Sequence, residues 1–395
     1  MPQPKGNSDV TGKNRRIALA VAAALALPPA FAAVPAQAAP SGGTSWQADL
    51  STVDGDDAGV AYAGGALRAS GPEAGYLVLP ERKLDRRVNR VVAGTQGTGA
   101  FEVDVRGKLG GQDWTEWTPA SGGAAVLPAD VSTVQVRVEA DPGSAVTGVE
   151  LTADEAPQLR AAAAATPLTY KVFATREGLT GGTTANGHVI ASRDHFVALP
   201  SGRGLAPKAT GDYTVRVCKT DGSRCEYTPV WDVGPWNTKD DYWNANRQSW
   251  TDLPQGKPEA QAAYQDGYNG GKDEFGRKVA NPAGIDLGDG TFLDGLQLSD
   301  NGWVNVTYLW TGSGPTGTVK TAGDPMNVRS SASTSASIKG LAANYAKVTI
   351  ECYVEGDSVT GTYGTSVIWD RIGPGHYVSD SYLYTGSDEP VAPHC

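Results

Sequence analysis

Apolar and polar residues alternate in period two along much of the chain, the spacing of strands with one covered face. Phe101-Glu-Val-Asp-Val-Arg106 and Val134-Gln-Val-Arg-Val-Glu139 each place apolar side chains on one face and charges on the other. That pattern predicts antiparallel strands whose second face is solvated. Trp114-Thr-Glu-Trp-Thr118 continues it, and a β-sandwich is expected there. Trp114 and Trp117, three residues apart in a strand, should face opposite sides, so at least one belongs to the core. Tyr213-Thr-Val-Arg-Val-Cys218 and Thr228-Pro-Val-Trp-Asp232 read as strands of a central unit. Near the C-terminus, short strands separated by turn clusters run from Pro325-Met-Asn-Val-Arg-Ser330 to Gly375-His-Tyr-Val-Ser379 and predict a small barrel. One short helix is expected in the insertion Thr238 to Val279, with Pro258 at its start, Glu259 in its first turn and Gly270-Gly271 beyond its end.

Composition agrees with a mainly β chain. Its 395 residues include 50 Gly and 25 Pro, and 19% are charged. That length predicts two or three domains. The basic stretch Lys5 to Arg16, the apolar run Ile17 to Leu27 and the small residues Ala36-Gln37-Ala38 read as a secretory leader over 1–38. Arg15-Arg16 leaves twin-arginine export open beside the ordinary route. The apolar run is too short to span a membrane, and no lipid-anchoring Cys follows it, so a freely secreted protein is expected. The alanine-rich stretch Gln158 to Pro167 and the segment Thr311-Gly-Ser-Gly-Pro-Thr-Gly317 read as connectors, the second a flexible one. They divide the mature chain into units 41–157, 166–311 and 317–395. A net charge of −10 without a basic block argues against nucleic acid and anionic lipid as partners. Two Met and four His leave little for a haem or a His-rich centre, so no metal or cofactor is expected. A monomer is expected.

The four cysteines suit an oxidising compartment. Cys218 and Cys225 flank a Gly-containing turn between strand-like runs, which predicts a hairpin disulfide and leaves Cys352 with Cys395. A zinc site is the alternative, but no CxxC pair is present and no His stands at finger spacing.

Three resemblances follow from these residues. The segment through Trp114-Thr-Glu-Trp-Thr118 loosely resembles all-β modules that precede the catalytic domain of some actinobacterial cell-wall amidases. The last unit, with Asn327-Val-Arg-Ser330, the Trp369 strand and Gly375-His-Tyr-Val378, resembles the bacterial Src-homology-3-like domain. Such domains usually bind cell-wall peptide or glycan. The central unit carries Thr184-Ala-Asn-Gly187, Phe196-Val-Ala-Leu-Pro200, Asp232-Val-Gly-Pro-Trp236 and Gly284-Ile-Asp-Leu-Gly288 in that order. This series resembles the double-psi β-barrel of rare lipoprotein A, barwin and the expansins. The sequence departs from that pattern at Val233, where an arginine is usual, at Gly288 for serine, and at Phe196 for histidine, with His195 one residue earlier.

Among those relatives are lytic transglycosylases of peptidoglycan and non-hydrolytic wall-loosening proteins. The resemblance implies Asp232 as a general acid/base and Asp286 as a second acidic residue, with Asp194 or His195 as stand-ins for the displaced histidine. Cleaving a glycosidic bond needs a carboxyl that keeps its proton, hence an apolar surround, and Trp231 and Trp236 flank Asp232. Both acids also have plain readings, since Asp before a Gly-Pro turn commonly caps main-chain amides. Six of the ten Trp lie between Trp231 and Trp310. Most are expected in the core, with Trp231, Trp236, Asn186, Tyr242 and Trp243 as candidates to line a glycan cleft beside Asp240 and Asp241. The expectation is a secreted protein acting on peptidoglycan glycan, lytic-transglycosylase-like, or else a wall-binding or wall-loosening protein without catalysis.

Overall fold

In the computed structural model, residues 43–111, 113–156 and 166–395 are described. The expected leader and the alanine run of the first connector lie outside those residues. The protein is mainly β, with a closed six-stranded barrel and further sheets.

The first sheet is built on two long strands, Arg82–Thr98 and Ala124–Ala140, with Phe101–Gly110 and Ala145–Asp154 beside them. Val103 pairs with Val138 and Val105 with Val136, and all four are buried. Each such valine contributes about 1.5–3 kcal/mol of burial before the entropy of ordering it. The other face is not solvated as the alternation predicts. Asp104, Arg106 and Arg137 are buried there because that face packs on the barrel and the charges neutralise one another. Arg137 holds Asp104 at 2.6 Å and Arg106 holds Asp212 of the barrel unit at 2.9 Å. Trp114 and Trp117 are both in the interior, under the Arg106 guanidinium at 4.3 and 4.5 Å. Trp117 also donates its Nε1–H to the Leu205 carbonyl.

The barrel strands are Leu168–Glu177, Val197–Leu199, Thr214–Lys219, Cys225–Val233, Ala283–Gly288 and Gly302–Tyr308, called first to sixth below. The first pairs with the sixth, the sixth with the third, the third with the fourth and the second with the fifth, all antiparallel. The first–fifth and second–fourth pairings are parallel and close the ring. Val172, Ala174, Val197, Leu199, Val215, Val217, Ile285, Leu287, Val304 and Val306 share one apolar core.

The remaining strands do not hang on a flexible tether. Ile338–Ala342 runs parallel to the start of the fourth barrel strand, with Cys225 opposite Gly340 and Tyr227 opposite Ala342. The approach is close enough that a Cβ on Gly340 would lie 1.6 Å from the Cys225 carbonyl oxygen. Tyr227 donates to the Ile372 carbonyl at 3.1 Å, and Lys347 reaches Asp212 at 3.1 Å. The segment expected to be flexible is held at both ends: Thr311 accepts from the Leu168 amide and Thr316 donates to Asp113. The disulfides Cys218–Cys225 and Cys352–Cys395 are both formed.

The insertion has its helix at Glu259–Asp266, closed earlier than the Gly270-Gly271 pair by Gly267 in the left-handed region (φ 68°). Asp240 receives the Glu259 amide at 2.6 Å and pairs with Arg247, which pins the helix start to the first loop of the insertion.

Candidate functional site

Strand register brings two of the expected acids onto one face. Asp232 on the fourth strand stands opposite Ala198 on the second, Ala198 opposite Asp286 on the fifth, and Asp286 opposite Thr175 on the first. The flanking Ala174, Val197, Leu199, Ile285 and Leu287 belong to the core, so by period-two alternation this row faces outward. Two strand spacings, roughly 9–10 Å, separate Asp232 from Asp286, with only an alanine between them. Glu177 lies two residues beyond Thr175 on the same face, opposite Gly288, which offers no side chain.

Glu177 was not among the residues singled out from the sequence. Its signal was an acidic residue ending a strand just before a glycine loop.

Neutral groups hold Asp232 and Asp286. Asp232 Oδ1 accepts the main-chain amides of Ala185 and Val233, each at 2.8 Å. Asp286 Oδ1 accepts the Thr175 hydroxyl. Glu177 hydrogen-bonds to the Asp232 carboxyl, an arrangement that requires one proton between two acceptors. Burial, then the Asp232 charge and that hydrogen bond, push Glu177 up to about 9. Burial also raises Asp232, against the pull of its amide donors. Asp286 is raised to about 6 by burial, with Thr175 opposing. At neutral pH Glu177 therefore keeps its proton in this cluster.

The loop Thr184–Gly187 aims the Ala185 amide. Asn186 is buried and works within that loop: its Nδ2 donates to the Ala206 carbonyl at 3.0 Å and its Oδ1 accepts from Thr184 at 2.7 Å. It does not line a cleft, because both polar ends are consumed. Trp231 is likewise interior, donating to the Thr210 carbonyl, with His188 4.7 Å away across the rings. Tyr242 and Trp243 are fully buried and wall no cleft. Tyr242 donates to the Gly284 carbonyl and Trp243 to Glu116. Asp240 and Asp241 are buried with them, paired to Arg247 and Arg203. Of the expected aromatics only Trp236 stays half-exposed, donating to Asn281 at 3.1 Å.

Asp194 and His195 do not join the cluster. Asp194 accepts the Ala191 amide and pairs with His188 at 2.7 Å. His195 pairs at 2.7 Å with Glu226 near the opposite end of the fourth strand, six residues and roughly 20 Å from Asp232. Burial pulls the His195 pKa down, but Glu226, with Asp294 and Asp194, leaves it raised. Two of the sequence departures explain one another. Phe196 is fully buried, and its ring lies 2.8 Å from where a Cβ on Gly288 would stand, so the phenyl group occupies the serine's space.

Cavities lie away from this row. One of about 270 Å³ opens where all three sets of strands meet, between Trp114, Trp310, Asp212 and Lys347. Another of about 470 Å³ lies among the last strands, lined by Asn327, Arg329, Trp369 and Tyr382.

A profile of DUF8814, a domain of unknown function, matches residues 168–307, the stretch that forms the closed barrel. The uncharacterized protein YraI of Bacillus subtilis (strain 168) is 46% identical over 88 residues, 20% of this chain and 73% of YraI. The uncharacterized protein YraJ of the same organism is 45% identical over 87 residues, 20% of this chain and 74% of YraJ. No solved structure matches the chain significantly. Over the stretch shared with them, the chain belongs to the family of YraI and YraJ.

Proposed function

We propose that this member of the YraI and YraJ family is a secreted, cell-wall-associated enzyme that cleaves peptidoglycan glycan strands by a lytic-transglycosylase-type reaction. The observation that carries the reading is the carboxyl pair: Glu177, pushed up to about 9, beside Asp232 held by two main-chain amides. Glu177, rather than Asp232, is the proton donor. Its proton passes to the bridging oxygen as the bond from C1 to that oxygen breaks. The C6 hydroxyl oxygen of the same sugar then bonds to C1, and its proton goes to Asp232. The hydrogen bond between the two carboxyls returns the proton to Glu177, so no water is consumed and the product is an anhydro-sugar end.

Glu177 and Asp232 are too close to flank a scissile bond as a hydrolase pair does, at roughly 5–9.5 Å. This favours internal attack. We read the barrel as the double-psi type on its two parallel pairings, the first sheet as a β-sandwich and the last strands as a Src-homology-3-like barrel. In that reading the 470 Å³ cavity with Asn327 and Arg329 binds wall material. The two disulfides support an oxidising, extracellular setting.

The test is incubation of the mature protein with purified glycan strands and mass spectrometry of the ends. Anhydro ends that vanish in Glu177→Gln and Asp232→Asn support the reading. No products, with sedimentation on wall sacculi retained, would overturn it in favour of a wall-binding or wall-loosening protein.

A further inference from the structure

Acidic side chains buried in this protein are mostly matched by cations. Arg137 pairs with Asp104, Arg90 with Asp154, Arg203 with Asp241, and Arg277 with Asp273. Asp212 lies between Arg106 and Lys347. The carboxyl row departs from this pattern, as the isolated Asp370 and Glu259 also do. Among the described residues, no arginine, lysine or histidine nitrogen lies within 4.0 Å of the Glu177, Asp232 or Asp286 carboxyl, and their donors are two main-chain amides and one hydroxyl. Glu177, only 9% exposed, has in Oε2 a buried oxygen with no donor from the protein. The charge of Glu73, in the turn before the strand Gly75–Val78, also acts on Asp232.

A buried oxygen without a donor, in a row without a cation, is completed by a ligand that supplies both. A metal ion fits poorly. Among the described residues, the one trio of such ligands whose atoms lie within 4.8 Å of one another is Asp54, Asp56 and Asp57, which excludes this row. An ammonium group fits better: it carries three N–H donors on one atom and tolerates acceptors spread over a strand face.

We propose that this site selects glycan strands bearing free amino groups, with glucosamine in place of N-acetylglucosamine. The inference rests on the glycan-cleaving reading of the same carboxyls. The ammonium takes the vacant oxygen of Glu177 and the second oxygen of Asp286, whose first is used by Thr175. A neutral acetamide offers one N–H and a carbonyl, and the carbonyl would face carboxylates. One charge-assisted hydrogen bond sets the scale, a preference of roughly 10–100-fold in kcat/KM.

The test uses the mature protein and glycan strands from one sacculus preparation, before and after N-deacetylation of their glucosamine residues. The expected result is roughly 10–100-fold higher kcat/KM on the deacetylated strands. The ratio should shrink as salt is raised, and again in Asp286→Asn, where it is read within the variant so that its overall rate does not enter. Equal or faster cleavage of acetylated strands overturns the selectivity and leaves the cleavage reading standing. If neither strand yields anhydro ends, cleavage fails, and calorimetric binding decides: tighter binding of deacetylated strands supports the ammonium site, and equal binding overturns it. Activity or binding that requires added calcium and is lost with a chelator also overturns it, by assigning the carboxyls to a metal.

Discussion

Glu177→Gln should flatten the pH dependence of stability, because glutamine keeps the shape of the protonated acid and cannot ionise. In the folded protein Glu177 is pushed up from 4.5 to about 9, chiefly by burial. A group raised in this way binds more protons folded than unfolded between those two values. Its contribution to stability is complete below 4.5 and is lost as the pH rises through about 9. One proton corresponds to about 1.4 kcal/mol per pH unit, so from pH 6 to 8 the wild-type protein loses up to roughly 3 kcal/mol that the variant keeps. With an unfolding entropy of about 2.1 cal/mol/K per residue, this is about 4 °C in Tm for a chain of this length. Asp240, Glu139 and Asp370, each raised to about 7, titrate in both proteins and cancel in the comparison. Calorimetric scans at half-unit pH steps give the two curves. If they run parallel from pH 6 to 8, Glu177 is ionised in the fold and the reasoning is wrong.

Three further outcomes follow from the packing. Trp243→Ala should destabilise by about 3–5 kcal/mol, as a large core truncation does, whatever its effect on binding; a variant of unchanged Tm with weakened glycan binding would return Trp243 to a cleft. Gly340→Ala should expose the Thr311–Gly317 segment to limited proteolysis, because the new Cβ meets the Cys225 carbonyl oxygen at 1.6 Å; unchanged digestion would show that the last strands do not depend on that pairing. Replacing Cys352 and Cys395 by serine should cost about 4 kcal/mol, against about 2 for Cys218 and Cys225, since the first bridge closes 43 residues and the second 7. Equal Tm losses would contradict the ranking.

How much of this was legible depended on whether neighbours in sequence are neighbours in space. The hairpin disulfide and the Pro258 helix start rest on local spacing, and both are formed. Alternation located the strands through Val103 and Val136 but misjudged their charged face. Asp104 and Arg137 look solvated in a single strand and become buried only when a second body covers them. Trp243 and Tyr242 were misplaced for a related reason, since an aromatic in an insertion reads as a rim until the insertion folds back on the barrel. Asp232 and Asp286 were singled out by their motifs, whereas nothing marked Glu177, because its neighbours in the row are 55 and 109 residues away along the chain. The parallel pairing of the first and fifth strands brings it beside Asp286, and the second strand links that pair to Asp232.

The most direct test of the central claim is a carbon-13 NMR titration of glutamate side-chain carboxyls, with Glu177→Gln assigning the Glu177 signal. The account predicts that this carboxyl stays protonated through neutrality and titrates near 9. A midpoint at the ordinary 4.5 would contradict it, because no proton would then sit between Glu177 and Asp232 for delivery to a glycosidic oxygen.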